Sequence, residues 1–159
     1  MTEQSDQVIR VAQIGVGYWG PNLLRNLIAN PQFMVKTVSD LQEDRRAFVK
    51  TNYPTVTVEN NPEAIIEDPA VDAVVIATPV STHYDLVMRC VESGKHVLVE
   101  KPMATQVSQV EDIARVANKN NLVAMVGHTF LFNQAVRYVK DLIDRGELGD
   151  IRYIYSQRV

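Results

Sequence analysis

The sequence predicts an α/β fold in which helices cover both faces of a doubly wound parallel sheet. Short apolar runs alternate with amphipathic segments along most of the chain. The run at 71–77 is apolar almost throughout, as expected of a strand that is buried on both faces of a parallel sheet. Because the connections between such strands are right-handed, the alternating pattern leads to a doubly wound arrangement.

The apolar runs and the segments between them give the elements in order. Strands are expected at 8–15, 33–40, 55–58, 71–77, 96–99 and 122–127. Helices are expected at 21–29, 42–51, 62–67, 81–92 and from Thr105 or Ser108 to 119. Pro21 suits the first turn of a helix, Ser81 is a candidate N-cap, and Gly94 is a candidate C-terminal stop.

The final part of the chain breaks this alternation. A helix is expected at 133–145, and residues 151–159, rich in aromatic and β-branched side chains, are expected to begin a strand. A strand with no later partner is an unpaired edge. We therefore interpret 1–128 as one domain, and 129–159 as a linker helix and the first strand of a second, truncated α+β domain. Alternatively, this strand pairs with the edge of the first sheet or with another subunit.

Composition excludes several classes of protein. Apolar residues make up 46% of the 159 residues and charged residues 22%, which is typical of a folded globular chain. The net charge of −3 gives no reason to expect binding to nucleic acid or to an anionic membrane. No apolar run approaches the roughly 20 residues that cross a bilayer, and the polar N-terminus does not resemble a secretory signal. The single cysteine, Cys90, is expected to be an inert buried thiol, and a cytoplasmic location is expected.

A glycine loop follows the first predicted strand. Residues 15–20 read Gly-Val-Gly-Tyr-Trp-Gly, which matches Gly-x-Gly-x-x-Gly between a strand and a helix. Gly15 permits a tight turn, Gly17 lets the backbone approach a pyrophosphate, and Gly20 allows close packing of helix and strand. The positive end of the helix then faces the phosphates. The context predicts a Rossmann fold that binds a dinucleotide.

Asp40 ends the second predicted strand, twenty residues after Gly20. An acidic side chain at this point can accept hydrogen bonds from the adenosine ribose hydroxyls and repels a 2′-phosphate, so NAD is favoured over NADP. The alternative is that Asp40 caps the following helix. Arg45 and Arg46 could meet a 2′-phosphate, but both are expected on the solvated face of that helix.

Two further motifs complete a pattern that resembles a known family. Residues 77–83 read Ala-Thr-Pro-Val-Ser-Thr-His, and residues 100–102 read Glu-Lys-Pro directly after the fifth predicted strand. Together with the glycine loop, they resemble the glucose-fructose oxidoreductase / inositol dehydrogenase (Gfo/Idh/MocA) family over essentially the whole chain.

This resemblance implies a two-domain enzyme that uses NAD or NADP to oxidise or reduce a hydroxyl-bearing carbon of a sugar, polyol or nucleotide sugar. It implies that Lys101 is catalytic and contacts both cofactor and substrate, and that Glu100 lies near the nicotinamide ribose. Thr78, Pro79 and His83 are implied to lie near the cofactor. The family's second domain supplies most of the substrate pocket and the dimerisation surface, so a homo-oligomer is implied when that domain is present. The stretch 18–23 looks most like members that act on nucleotide-linked sugars.

Several of these residues have simpler explanations. Lys101 could be a surface lysine in a turn, and His83 could serve local capping or packing. Tyr18 and Trp19 are expected at the cofactor, although anchoring the glycine loop would also explain Trp19.

The remaining candidates concern the substrate and metals. His128 and Arg158 are candidate substrate residues, and a structural histidine is the alternative for His128. His96 is expected to be structural. Histidines this dispersed do not predict a metal site.

Two other functions remain open on the sequence alone. A non-catalytic dinucleotide-binding module, such as an NADH sensor or a subunit of a split enzyme, would share the glycine loop and Asp40. A methyltransferase or other nucleotide-binding Rossmann-like protein is disfavoured by the complete glycine motif and by Glu-Lys-Pro at 100–102.

Overall fold

A computed structural model describes residues 8–157 and contains a six-stranded sheet in the order β3-β2-β1-β4-β5-β6. Every neighbouring pair of strands is parallel. The strands are β1 (Ile9–Ile14), β2 (Phe33–Ser39), β3 (Thr57–Glu59), β4 (Ala73–Ile76), β5 (His96–Val99) and β6 (Ala124–Val126). The predicted doubly wound parallel sheet is therefore confirmed.

Helices cover the sheet on both sides. They are α1 (Gly20–Ala29), α2 (Glu43–Asn52), α3 (Glu63–Ile66), α4 (His83–Glu92), α5 (Val107–Lys119) and α6 (Gln134–Asp144). One buried cluster joins Leu24 of α1 and Val49 of α2 to Val38 of β2. The larger cluster packs α3, α4 and α5 against the other face of the sheet. Since each face buries its own apolar cluster, the strands must be apolar on both sides, as their sequences predicted.

The element boundaries lie within two residues of those predicted, but α4 and α5 lack the capping side chains that were predicted for them. Ser81 does not cap α4. It lies in a single 3₁₀ turn at Val80–Thr82, and α4 begins at His83 without a side-chain cap. Neither Thr105 nor Ser108 caps α5, whose N-cap residue Gln106 makes no capping side-chain bond. In both cases the helix is held by its buried apolar face, which contributes more than a cap does.

Polar side chains close the amino end of the sheet. Arg10 at the start of β1 donates through Nε and Nη2 to the Asp72 carboxylate at 2.9 and 2.5 Å. Lys36, which a register shift leaves without a partner on β1, reaches Asp68 at 3.3 Å. The buried Lys95 ammonium donates to the carbonyl oxygens of Asp68 and Val71 at 2.6 and 2.9 Å. Three basic side chains thus fix the segment that leads into β4.

A second compact unit begins at His128, one residue before the boundary expected from the sequence. It contains one 3₁₀ turn at Thr129–Phe132 and helix α6, which is capped by the Asn133 side chain. The strand expected from 151 onwards is not formed over residues 151–157, because a strand exists only where a neighbour pairs with its backbone. That this segment opens a second domain stays a prediction. Among residues 8–157, no helix combines the length and apolar character that a membrane crossing requires.

Candidate functional site

A cavity of about 470 Å³ opens beyond the carboxyl ends of β1, β2 and β4. β1 pairs with β2 on one side and with β4 on the other. The strand order therefore reverses at β1, with β2 and β3 on one side of it and β4, β5 and β6 on the other. Ligands of open α/β sheets bind at such a reversal of strand order. The volume falls within the range of small-molecule sites. Gly15, Gly17, Asp40, Arg45 and Thr78 are among the residues that line the cavity.

The glycine loop forms one wall, and its three glycines have different structural requirements. Gly15 has φ +92°, and a Cβ there would lie 2.6 Å from the carbonyl oxygen of Ala77. At Gly20 a Cβ would lie 2.7 Å from the carbonyl oxygen of Gly15. A Cβ at Gly17 would meet no atom within 4 Å. Two of the glycines are therefore needed by the fold itself, whereas Gly17 faces open space where a ligand can approach the backbone.

Gln13, which the sequence analysis did not single out, braces this loop from below. It is fully buried in β1, and its Nε2 donates to the carbonyl oxygens of Gly15 and Gly20, both at 2.9 Å. An amide nitrogen offers two protons, so one side chain can hold both ends of the loop. A buried glutamine in an apolar strand is the only sequence signal that could have pointed to it.

Asp40 connects the end of β2 to the glycine loop. One carboxylate oxygen accepts the Val16 N–H at 2.7 Å, and the other accepts the Gln42 N–H at 2.9 Å. The second bond turns the chain towards α2, but the N-cap residue of α2 is Gln42, so Asp40 precedes the helix and does not cap it. Each oxygen retains a free lone-pair direction for a further donor.

The arginines beside Asp40 differ in their surroundings. Arg45 lines the cavity while 43% of its side chain stays exposed, and its Nε lies 3.8 Å from the Asp44 carboxylate. Arg46 donates to the carbonyl oxygens of Asp40 and Leu41 at 2.9 and 2.8 Å. The Arg45 Nε is buried and has no hydrogen-bond partner among residues 8–157. A positive side chain therefore borders the same cavity as the Asp40 carboxylate.

The segment after β4 forms the opposite wall. Thr78 and Pro79 both line the cavity, and the hydroxyl groups of Thr78 and Thr82 lie 2.8 Å apart. His83 follows at the start of α4 and is 1% exposed. Its Nε2 lies 2.8 Å from the Thr78 carbonyl oxygen, and its Nδ1 lies 2.7 Å from the Pro102 carbonyl oxygen. The ring is thus occupied with the backbone of two loops, and a direct polar contact with a ligand would require one of these contacts to break.

The segment after β5 carries Glu100 and Lys101 at the same edge of the sheet. Glu100 is partly buried, and its Oε2 accepts the Lys101 N–H at 3.2 Å. A Cβ at Gly127, just after β6, would lie 3.1 Å from Glu100 Oε1, so the absence of a side chain there makes room for the carboxylate. The Lys101 side chain is exposed.

The other predicted residues are distributed more widely. Tyr18 and Trp19 protrude from the glycine loop, 96% and 45% exposed, so both side chains are accessible to a ligand. His128 belongs to the second unit. Arg158 lies outside the described residues. His96 accepts the Val123 N–H at 3.0 Å and opens β5 at the amino end of the sheet, as a structural histidine would.

The cavity fits a dinucleotide phosphate group. The N-terminus of α1 begins at Gly20 without a side-chain cap, and Pro21 occupies its first turn. The helix dipole and free N–H groups at such an end attract anions. The open space at Gly17 lies in the same loop. Asp40, at the end of the adjacent strand, offers acceptors for hydroxyl groups.

Comparison with known proteins identifies the kind of domain. The model of the GFO_IDH_MocA oxidoreductase family, described as an NAD-binding Rossmann fold, matches residues 9–128. Among curated relatives, the NADP-dependent scyllo-inositol 2-dehydrogenase IolW of Bacillus subtilis is 32% identical over 145 residues, covering 89% of this chain and 40% of the relative. The NAD-dependent scyllo-inositol 2-dehydrogenase of the same organism is 30% identical over 142 residues, with 89% and 42% covered. The chain therefore spans about two fifths of these relatives.

A solved structure shows the same similarity. KijD10, a 3-ketoreductase from Actinomadura kijaniata crystallised with NADP and TDP-benzene, superposes with a TM-score of 0.83 at 32% sequence identity. The match covers 91% of this chain and 44% of that protein. Together, the relatives use both NAD and NADP, so the family defines the cofactor as NAD(P).

Proposed function

The chain belongs to the Gfo/Idh/MocA oxidoreductase family, and on that premise we propose that it is the NAD-binding domain of a dehydrogenase or reductase acting on a hydroxyl-bearing carbon. The substrate would be a sugar, polyol or nucleotide sugar. The observation that carries this proposal is the cavity where the strand order reverses, bounded by Gly17 and Asp40, with Lys101 leaving the neighbouring strand β5 at the same edge. When bound, the nicotinamide supplies the hydride acceptor or donor.

The glycine loop would hold the cofactor's phosphates. Gln13 and Asp40 fix the loop from two sides, so its backbone N–H groups are already oriented before a ligand arrives. Such preorganisation reduces the entropy lost on binding. Thr78, Pro79, Tyr18 and Trp19 would complete the cofactor surface.

We propose that NAD is preferred over NADP because the Asp40 carboxylate would accept the ribose hydroxyls and repel a 2′-phosphate. Arg45, in the same cavity, acts in the opposite direction. Calorimetric titration of the chain with NADH and NADPH measures the balance. Asp40→Asn should lower the ratio of NADH affinity to NADPH affinity about tenfold, the equivalent of one charge-assisted hydrogen bond. Because the two Asp40 oxygens also accept the Val16 and Gln42 N–H groups, loosening of the loop weakens both nucleotides, and the ratio isolates the contact with the ribose. Arg45→Gln should weaken NADPH binding alone.

Glu43→Gln is the matched control, because it also removes one negative charge from the start of α2 but does not line the cavity. It should leave the ratio of the two affinities unchanged. If NADPH binds more tightly than NADH, and Asp40→Asn does not alter the ratio, the proposed preference is wrong. If neither nucleotide binds a folded chain, the dinucleotide site itself is refuted for this chain.

Lys101 would be the catalytic residue. Its ammonium is exposed at the carboxyl edge, where it can donate to a substrate oxygen and stabilise the charge that develops there. Glu100, packed over Gly127, would lie near the nicotinamide ribose. His128 and Arg158 remain predicted substrate residues.

The test of Lys101 compares Lys101→Ala with Lys119→Ala in the full-length enzyme, with inositols and other polyols as substrates. Lys101→Ala should lower kcat about a hundredfold while NADH affinity changes less than about threefold. Lys119 ends α5 on the surface and should be neutral. Equal turnover in the two variants would remove the catalytic role of Lys101 and leave the dinucleotide site intact.

The remaining features of the whole protein belong to the same proposal. The second unit from His128 would lead into a substrate-binding and dimerisation domain, giving a homo-oligomer. A cytoplasmic location agrees with the lone cysteine, which is buried in α4.

A further inference from the structure

His83 joins the two loops that leave neighbouring strands at the functional edge. Its ring is 1% exposed and lies between the Thr78 carbonyl oxygen, after β4, and the Pro102 carbonyl oxygen, after β5. The distances, 2.8 and 2.7 Å, are those of good hydrogen bonds. β4 and β5 are hydrogen-bonded to each other along their whole length, so the ring extends their connection beyond the last backbone pair.

Both neighbours of the ring are carbonyl oxygens, which only accept. A ring N–H can donate to either oxygen, and which nitrogen carries the proton depends on the tautomer. The ring therefore packs between the two loops and hydrogen-bonds to at least one of them.

Lys101 lies directly before the residue that His83 contacts. Pro102 is its immediate neighbour, and within the unit that ends at Gly127 the Lys101 ammonium has no hydrogen-bond or ion-pair partner. The position of the lysine is thus set by its backbone. Glu100 accepts the Lys101 N–H on one side, and His83 holds the Pro102 carbonyl on the other.

We propose that His83 is a positioning residue for Lys101, donating its Nδ1–H to the Pro102 carbonyl while the other side of the ring packs against the Thr78 carbonyl. This inference rests on the proposed function, since it gives the lysine its task. Misplacement of a catalytic group by about 1 Å can cost a hundredfold in rate, so a clamp that touches neither substrate nor cofactor can still limit turnover.

Two conservative variants separate the two contacts. His83→Asn retains a donor near the position of Nδ1 and can still reach the Pro102 carbonyl, whereas His83→Gln retains one near Nε2 and can reach the Thr78 carbonyl. His83→Leu removes both ring nitrogens. Cys90→Ala is the control for stability, because Cys90 is fully buried in the same helix and contacts neither loop through a hydrogen bond among the described residues.

In the full-length enzyme, His83→Leu and His83→Gln should lower kcat about a hundredfold with KM for NADH within about threefold. His83→Asn should recover at least about a tenth of the kcat of the unmodified enzyme. Equal losses in all three variants, or a loss in Cys90→Ala that matches them at the same decrease in unfolding midpoint, would reduce His83 to a packing role and overturn the proposal.

A spectroscopic readout on the chain itself separates this inference from the proposed function. The ¹⁵N resonances of the His83 ring should report a proton on Nδ1, the nitrogen that faces the Pro102 carbonyl, and His83→Asn should shift the Lys101 amide resonance less than His83→Gln does. An Nδ1 without a proton, or equal shifts, contradicts the clamp even if the enzyme is active. A chain that shows both signatures but binds no dinucleotide supports the clamp and refutes the proposed function instead.

Discussion

Two lysines bracket strand β5 and have opposite environments. Lys95, at the amino end, is 5% exposed and gives its protons to the carbonyl oxygens of Asp68 and Val71. Lys101, beyond the carboxyl end, is exposed, and its backbone N–H donates to the Glu100 carboxylate. A lysine side chain thus closes the sheet at its amino end, whereas a second lysine remains accessible to a ligand at its carboxyl end.

The same contrast extends to the whole sheet. At the amino end, Arg10, Lys36 and Lys95 are paired with the segment that enters β4. At the carboxyl end, Gln13 and His83 hold loop backbones in place and leave a cavity between them. Polar groups at the amino end join strands and loops to one another, whereas those at the carboxyl end hold the loops around the cavity that we propose as the dinucleotide site. Mutations at the two ends should therefore separate stability from binding.

Gly15→Ala should have the largest effect, because it damages both properties. A side chain at φ +92° is strained, and its Cβ would lie 2.6 Å from the Ala77 carbonyl oxygen. We expect a loss of about 3 kcal/mol in the free energy of unfolding, measured by urea denaturation, together with loss of NADH binding. Gly17→Ala is the matched variant, since its Cβ meets nothing within 4 Å. It should preserve stability and weaken NADH binding alone; equal destabilisation by the two substitutions would contradict this distinction.

Lys95→Met should affect stability without affecting binding. Methionine keeps the apolar stem but leaves the buried Val71 carbonyl oxygen and the part-buried Asp68 carbonyl oxygen without their donor. A decrease of about 2 kcal/mol in the free energy of unfolding is expected. The NADH dissociation constant, measured on the folded fraction, should stay within about twofold. A large loss of NADH affinity would show that the amino end is coupled to the cavity and would break the comparison.

Asp72→Asn should give a smaller effect that depends on pH. The hydrogen bond from Arg10 lowers the pKa of the Asp72 carboxyl from 3.8 to about 2, so the folded state favours its charged form. The resulting stability is present above pH 4 and is lost as the pH falls towards 2. The unfolding midpoint of Asp72→Asn should therefore fall less steeply with acid than that of the unmodified chain. Asp44→Asn, an exposed carboxylate in the first turn of α2, should retain the steep fall.

Much of the fold could be predicted because its signals are local. The apolar runs of β1, β4 and β5 match strands buried on both faces. The residues of the glycine loop are consecutive in the sequence, so their arrangement can be read from the motif itself. The position of Asp40 beside the loop followed from the strand pattern, since Asp40 directly follows β2 and β2 pairs with β1, which leads into the loop.

The rest depended on contacts between distant parts of the chain. His83 and Pro102 are 19 residues apart, and no periodicity shows that a ring nitrogen will meet that carbonyl. In the sequence, Gln13 is only a polar residue within an apolar strand. Its contact with the glycine loop exists only once the chain has folded back to bring the Gly20 carbonyl over its side chain. The starts of α4 and α5 were misassigned to hydroxyl caps, although packing alone determines them. Residues 151–157 are extended in propensity but lack the neighbour that would make them a strand.

The reactivity of the Cys90 thiol can report how often the domain opens. Its thiol is enclosed where α4 meets the sheet, and burial raises its pKa to about 12, so the reactive thiolate is scarce in the closed molecule. Alkylation therefore requires an opening of the structure that exposes Cys90. Because the chain has one cysteine, the modification of a molecule reports one such opening. Labelling rates in dilute denaturant would measure how often the domain opens. A saturating dinucleotide should slow the labelling in proportion to its stabilisation of the folded domain.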